Sequence, residues 1–131
     1  MNVLVVEPGY LPYEKEINGL EEMQATVGGY IQAIYPYEEP VAIVCNEEGR
    51  LIDLPPNRAV CFEDSDEIAE VIHGTFFMAY APEDAENYQS LPKELTEKYL
   101  DKFRYPEVFF KTREGTEVMK IVSKPASKDA R

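Results

Sequence analysis

An α+β domain is the fold this sequence predicts, with a mixed, mostly antiparallel sheet and two or three helices packed on it. Three observations carry the expectation. Apolar and aromatic runs too short for helices recur at residues 3–6, 30–37, 41–45 and 75–81. Turn residues bound them at Pro8-Gly9, Pro36, Asn46-Glu47-Glu48-Gly49 and Gly74, as hairpin-like connections require. Segments with helical spacing interrupt the runs irregularly, not after every strand.

Residues 2–6 open the sheet and stop at Glu7-Pro8-Gly9; residues 13–17 alternate and return beside them. Asn18 reads as a helix N-cap with Glu21 and Glu22 in the first turn, where acids suit the helix dipole. Leu20, Met23 and Val27 share one face, and Gly28-Gly29 ends the helix, because glycine takes the left-handed conformation readily. The run at 41–45 is the best central strand, and Leu51-Ile52 begin a short return cut off by Pro55-Pro56. Ser65 caps a short helix over 65–72 with Ile68, Val71 and Ile72 inward. Residues 75–81 form another strand, 82–90 an acidic loop, and 91–103 the clearest helix. The two helices near 19–27 and 91–103 are expected on one face. The expected core comprises Val3, Val5, Leu20, Met23, Ile43, Cys45, Phe76, Leu95 and Tyr99. One domain spans 1–122, and residues 123–131, with no apolar side chain larger than Ala126, are a flexible tail.

Charge is the most informative feature. Eighteen of the first 92 residues are Asp or Glu, opposed only by Lys15, Arg50 and Arg58, whereas the last 21 residues carry six Lys or Arg against three acids. The net charge is −12. A surface so negative repels nucleic acid and anionic membrane and attracts basic partners. No run can span a bilayer, and the start lacks the pattern of a secretory signal, so a cytoplasmic protein is expected. Cys45 and Cys61 are too few for a disulfide scaffold. Cys45 lies in an apolar run with Asn46, Glu47 and Glu48 after it, and so has no basic neighbour to hold a thiolate.

The usual catalytic constellations are missing, and the expectation is no enzyme and no cofactor. His73 is the single histidine, with Ser65, Thr75 and Cys61 the nearest nucleophiles in sequence. Asp64-Ser65-Asp66-Glu67 starts like a calcium loop but lacks its glycine, and no metal is expected. Gly28-Gly29 is a helix stop rather than an anion nest.

Binding residues are the better candidates. Tyr30, Tyr35 and Tyr37 belong to a proline-interleaved tyrosine cluster, and tyrosine suits both sheet packing and recognition. Glu38 and Glu39 are a paired acid within it. Arg58, framed by Asn57, either forms a structural ion pair or grips a ligand anion.

The runs Val3-Leu4-Val5-Val6-Glu7-Pro8-Gly9, Val27-Gly28-Gly29-Tyr30-Ile31-Gln32, Tyr35-Pro36-Tyr37 and Val41-Ala42-Ile43-Val44-Cys45-Asn46-Glu47-Glu48-Gly49 come in a recognisable order. With Leu54-Pro55, Asn57-Arg58-Ala59 and Gly74-Thr75-Phe76-Phe77, the chain resembles an uncharacterised family of small domains of unknown function. The resemblance covers roughly residues 1–105. It implies a genomic setting, carriage by phages, prophages and conjugative elements of Gram-positive gut bacteria, rather than a chemistry.

The expected function is a non-catalytic accessory protein of a mobile element. Its acidic surface docks the basic groove of a host nuclease or other defence complex, without direct nucleic-acid or membrane binding. Acids at Glu7, Glu14, Glu16, Glu21, Glu38, Glu47 and Asp64 lie in different elements, as a duplex mimic needs. The alternative is sequestration of a small signalling nucleotide, with tyrosine rings for stacking and Arg58 for phosphate.

Overall fold

In the computed structural model, which describes residues 1–61, 63, 65–121 and the backbone of 126–127, five antiparallel strands form the central sheet. The chain order is β1 (Asn2–Val6), β2 (Tyr10–Leu11), β3 (Tyr13–Glu16), α1 (Gly19–Val27), β4 (Ile31–Ile34), β5 (Val41–Asn46) and β6 (Pro56–Cys61). It continues with β7 (Ile68–His73), β8 (Phe76–Tyr80), α2 (Lys93–Lys102), β9 (Glu107–Thr112), β10 (Gly115–Lys120) and β11 (Ala126–Ser127). The sheet order is β3-β1-β8-β5-β4, and β6–β7 and β9–β10 are separate hairpins.

The unbroken apolar runs of β1, β5 and β8 reflect burial on both sides of the sheet. Leu4, Val6, Ile43, Cys45, Phe76 and Met78 enter one core, while Val3, Val5, Ala42, Val44, Phe77 and Ala79 enter the other. Val27 and Met23 of α1 cover the second core, and Tyr99 of α2 with Val60 and Ile72 of the β6–β7 hairpin covers the first. The helices therefore lie on opposite faces, not on one. Each face of a doubly buried sheet needs its own cover, and one helix of nine residues cannot supply both.

α1 ends as its glycines require: Gly28 has φ +82° and its N–H donates to the Gln24 carbonyl at 2.8 Å. Its start differs from the expected cap. The Asn18 side chain does not cap the helix; its Oδ1 accepts from the Met1 nitrogen, and Glu22 Oε1 accepts the Asn18 N–H at 2.8 Å. Leu20, expected in the core, is 55% exposed.

Two segments depart from expectation. Residues 65–72 are not a helix: Ile68–His73 form β7, paired antiparallel with β6. Ile68, Val71 and Ile72 fit helical spacing, but over six residues that spacing does not separate the two states, and the open edge of β6 offers backbone partners. Leu51-Ile52 form no strand and stand exposed in a turn, because both edges of β5 are already taken by β4 and β8. Gly49 sits here against the His73 carbonyl, where a Cβ would lie 2.6 Å from the oxygen. The β9–β10 hairpin, turning at residues 113–114, was not anticipated. Of the expected tail, Ala126–Ser127 pair in parallel with β2; the rest lies outside the described residues.

Candidate functional site

Asn57 and Arg58 are adjacent in β6, yet both point inward, 1% and 0% exposed. A bulge explains this: Pro56 pairs with His73 and Arg58 with Ile72, leaving Asn57 as the extra residue. Asn57 Nδ2 donates to the carbonyls of Val6 and Gly74, both at 2.9 Å, tying β6 to the end of β1 and the β7–β8 turn. Arg58 donates from Nε (3.1 Å) and Nη2 (2.9 Å) to the Phe103 carbonyl, from Nη2 to the Tyr10 carbonyl (2.7 Å), and from Nη1 to Asn57 Oδ1 (2.9 Å). Phe103 is the C-cap of α2. The guanidinium thus satisfies a helix-end carbonyl and puts a cation where the helix dipole favours one. Burial pulls its pKa down to about 10, opposed by the charge of Glu107, so it remains charged at neutral pH. The structural role expected of Arg58 takes a form other than an ion pair. It holds backbone carbonyls, and no carboxylate lies within ion-pair distance among the described residues.

The tyrosine and glutamate candidates separate. Tyr30 is 69% exposed beside β4. Tyr37 is 7% exposed, its ring 5.1 Å from that of Tyr99. Glu39 Oε1 accepts from Lys98 Nζ at 2.7 Å and Tyr99 Oη at 2.6 Å. The Lys98 bond, then the Tyr99 bond, hold the Glu39 carboxyl below its ordinary range. Glu38 is exposed, and its N–H donates to Glu63 Oε2 at 3.1 Å. The pair 38–39 is thus divided between a solvated acid and an acid already neutralised by α2. Asp64 lies outside the described residues.

Tyr35 and Glu39 meet in a cleft of about 980 Å³ between the start of α1, the β4–β5 connection and the loop at 82–88. Leu20, Met23, Tyr35 and Tyr88 give it apolar walls, Glu39, Glu83 and Glu86 give it acids, and no Lys or Arg is among its described lining residues. Burial, then a hydrogen bond to Tyr35, pushes the Tyr88 phenol up to about 12. The spacing of Leu20 with Met23 and Val27 predicts a core position, but the side chain is 55% exposed at the cleft. The acids of loop 82–90 were legible, but their approach to α1 was not, since sixty residues separate the two.

A second cleft, of about 420 Å³, opens on the other face of the sheet. Cys61 and Ile68 of the β6–β7 hairpin, Lys102 and Phe103 at the end of α2, and Glu107, Val118 and Lys120 of the β9–β10 hairpin line it. Glu107 Oε1 accepts the Ala59 N–H at 2.8 Å, and burial raises the Glu107 carboxyl above its ordinary range.

The other reactive groups have structural surroundings. Burial pushes the Cys45 thiol up to about 11, too high for a thiolate nucleophile at neutral pH. Both cysteines are free. His73 Nδ1 lies 3.0 Å from the Leu54 carbonyl; a carbonyl only accepts, so Nδ1 carries the hydrogen. Among the described residues no helix is long and apolar enough to cross a membrane.

These features define a small acidic α+β domain whose described residues form the clefts at α1 and at the end of α2. Residues 1–104 match the model of the family described as a domain of unknown function, DUF3846, and the chain belongs to that family. Comparison with curated proteins and with solved structures gives no match. The larger cleft lies wholly within the matched residues, whereas Glu107, Val118 and Lys120 of the smaller one lie beyond them.

Proposed function

We propose that this protein is a non-catalytic binding protein whose larger cleft takes a basic segment of a nucleic-acid-binding protein. The observation that carries this reading is the lining of that cleft: Glu83 and Glu86 beside Leu20, Tyr35 and Tyr88, with no Lys or Arg among its described lining residues and with Glu39 at its wall already bonded to Lys98. An arginine of the partner would stack its guanidinium on a tyrosine face while a carboxylate takes its N–H groups. The excess of acid over the first 92 residues would speed encounter with such a partner. The resemblance to phage, prophage and conjugative-element domains favours a host nuclease or other defence complex in the cytoplasm as that partner, making the protein an anti-defence inhibitor. Sequestration of a nucleotide through Arg58 is the weaker reading, because that guanidinium is buried and engaged with carbonyls.

The test is capture of a basic nucleic-acid-binding protein from host extract at low and high salt, with and without duplex DNA as competitor. Complex formation should weaken steeply with salt and be competed by DNA. Glu83→Lys with Glu86→Lys should weaken it about tenfold or more. Glu47→Lys with Glu48→Lys, an equal charge change on exposed turn residues outside the cleft, should weaken it much less. Equal losses from both pairs would mean that bulk charge, not the cleft, binds.

A further inference from the structure

The two edges of the central sheet are finished differently. β3, at one edge, shows Glu14, Lys15 and Glu16 to solvent, and charge on an outer strand deters further pairing. β4, at the other, reads Ile31-Gln32-Ala33-Ile34, with neither a charge nor a proline. One bond fixes which way its backbone groups point: the Glu47 N–H donates to the Tyr30 carbonyl at 2.9 Å, so that carbonyl faces β5. Bonded residues alternate along an antiparallel pair, and Gln32 opposite Cys45 and Ile34 opposite Ile43 therefore face β5 too. Ile31 and Ala33 turn their N–H and C=O groups outward, and no hydrogen bond to these groups is present among the described residues. The edge also runs into the larger cleft. Tyr35 directly follows the strand and lines that cleft beside Tyr88, Glu83 and Glu86.

We infer that the basic segment binds as a further strand on β4, exchanging hydrogen bonds with Ile31 and Ala33 and carrying its arginines or lysines past Tyr35 into the cleft. Addition of an extended peptide to an open sheet edge is a common recognition mode, in which backbone bonds hold the segment and flanking pockets select its side chains. The inference rests on the reading of the larger cleft as a site for a basic segment. It adds how the segment is held and what it must contain: an uncharged stretch able to extend, next to the basic residues. A second copy of this chain is the other occupant that an open edge invites. Two chains of net charge −12 repel, however, whereas a basic segment is drawn to the acids at the end of the strand. The backbone bonds of two residues also offset little of the cost of association. The cleft supplies the remainder for a segment that reaches it.

The probe is a synthetic peptide with paired arginines at each end of a valine-threonine middle. Amide hydrogen exchange of the full chain, with and without saturating peptide, should slow about tenfold or more at Ile31 and Ala33 and stay unchanged at Gln32 and Ile34, which β5 already holds. The same peptide N-methylated through its middle keeps its charges but loses its donors, and should bind about tenfold or more weakly. Ala33→Pro removes an outward N–H and spares the β4–β5 ladder, so it should weaken the unmethylated peptide as well. The methylated peptide meets the unaltered chain, so its result is independent of how Ala33→Pro folds. Unchanged exchange at Ile31 and Ala33 with peptide bound, or equal affinity for both peptides, overturns the added strand and leaves the cleft reading intact. Failure of either peptide to bind overturns the cleft reading as well. Protection of Ile31 and Ala33 that ignores Glu83→Lys with Glu86→Lys overturns the place given to the arginines. Protection of both amides without peptide, in a protein that sediments as a dimer, gives the edge to a second copy and overturns the proposal.

Discussion

The two faces of the central sheet rest on the same strands but are closed by different means. On the α1 face Val3, Val5, Val27, Val44 and Phe77 meet in an aliphatic and aromatic layer with no buried charge among the described residues. On the α2 face a bulged hairpin turns Asn57 and Arg58 inward among Tyr99, Phe76 and Phe103, and the polar groups must be satisfied one by one. The first face gains its stability from area and packing, which many apolar residues supply. The second depends on geometry that one residue type supplies, because only a guanidinium forks to two carbonyls and an amide oxygen.

Breaking that contrast should give the largest effect. Arg58→Ala removes the buried donor to the Phe103 and Tyr10 carbonyls and should cost about 3–5 kcal/mol in urea denaturation. Arg58→Lys should recover little of it, whereas Phe77→Leu on the α1 face should cost only about 1 kcal/mol. Equal costs for the two conservative changes would erase the distinction between the faces. Tyr99→Phe comes next, removing the bond to Glu39 at about 1–2 kcal/mol. Tyr37→Phe, nearby in the same layer, should cost nothing, because its hydroxyl has no partner to lose among the described residues.

The smallest effects are of opposite sign and are read from pH. Glu39 has its folded pKa lowered by Lys98 and Tyr99, so its contribution is present above the ordinary carboxylate range and is lost as pH falls through the folded value. With Lys98 half-exposed, the pair should contribute less than about 1 kcal/mol, and Glu39→Gln should flatten that acid loss. Glu107 has its folded pKa raised by burial, so its ionised form opposes folding and protonation relieves the cost as pH falls. Glu107→Gln, which keeps an oxygen for the Ala59 N–H, should therefore not destabilise at neutral pH. Melting midpoints of the two variants across pH 3–8 check both signs.

The strands at β1, β5 and β8 were legible because unbroken apolar runs leave few other solutions, and α1 and α2 because their faces repeat over at least two turns. β7 was not, since Ile68, Val71 and Ile72 fit either period within six residues. The β9–β10 hairpin carried a signal in hindsight: Val108-Phe109-Phe110 and Val118-Met119 flank Arg113-Glu114-Gly115, a turn closed by a glycine at φ +127°. Among the site residues, acidity and the exposed Tyr35 were readable from type alone. The fates of Tyr37, Glu39 and Arg58 were not, because each is decided by a partner 45 to 62 residues away.

By itself the sequence determined the class, an acidic α+β domain with an antiparallel sheet, because composition and periodicity are local and additive along the chain. Only the tertiary structure decided which face each helix covers, that Arg58 caps a helix rather than a ligand, and that Leu20 lines a cleft with Glu83 and Glu86. Those outcomes rest on contacts between distant segments, where a single bulge or turn sets the direction in which a side chain points.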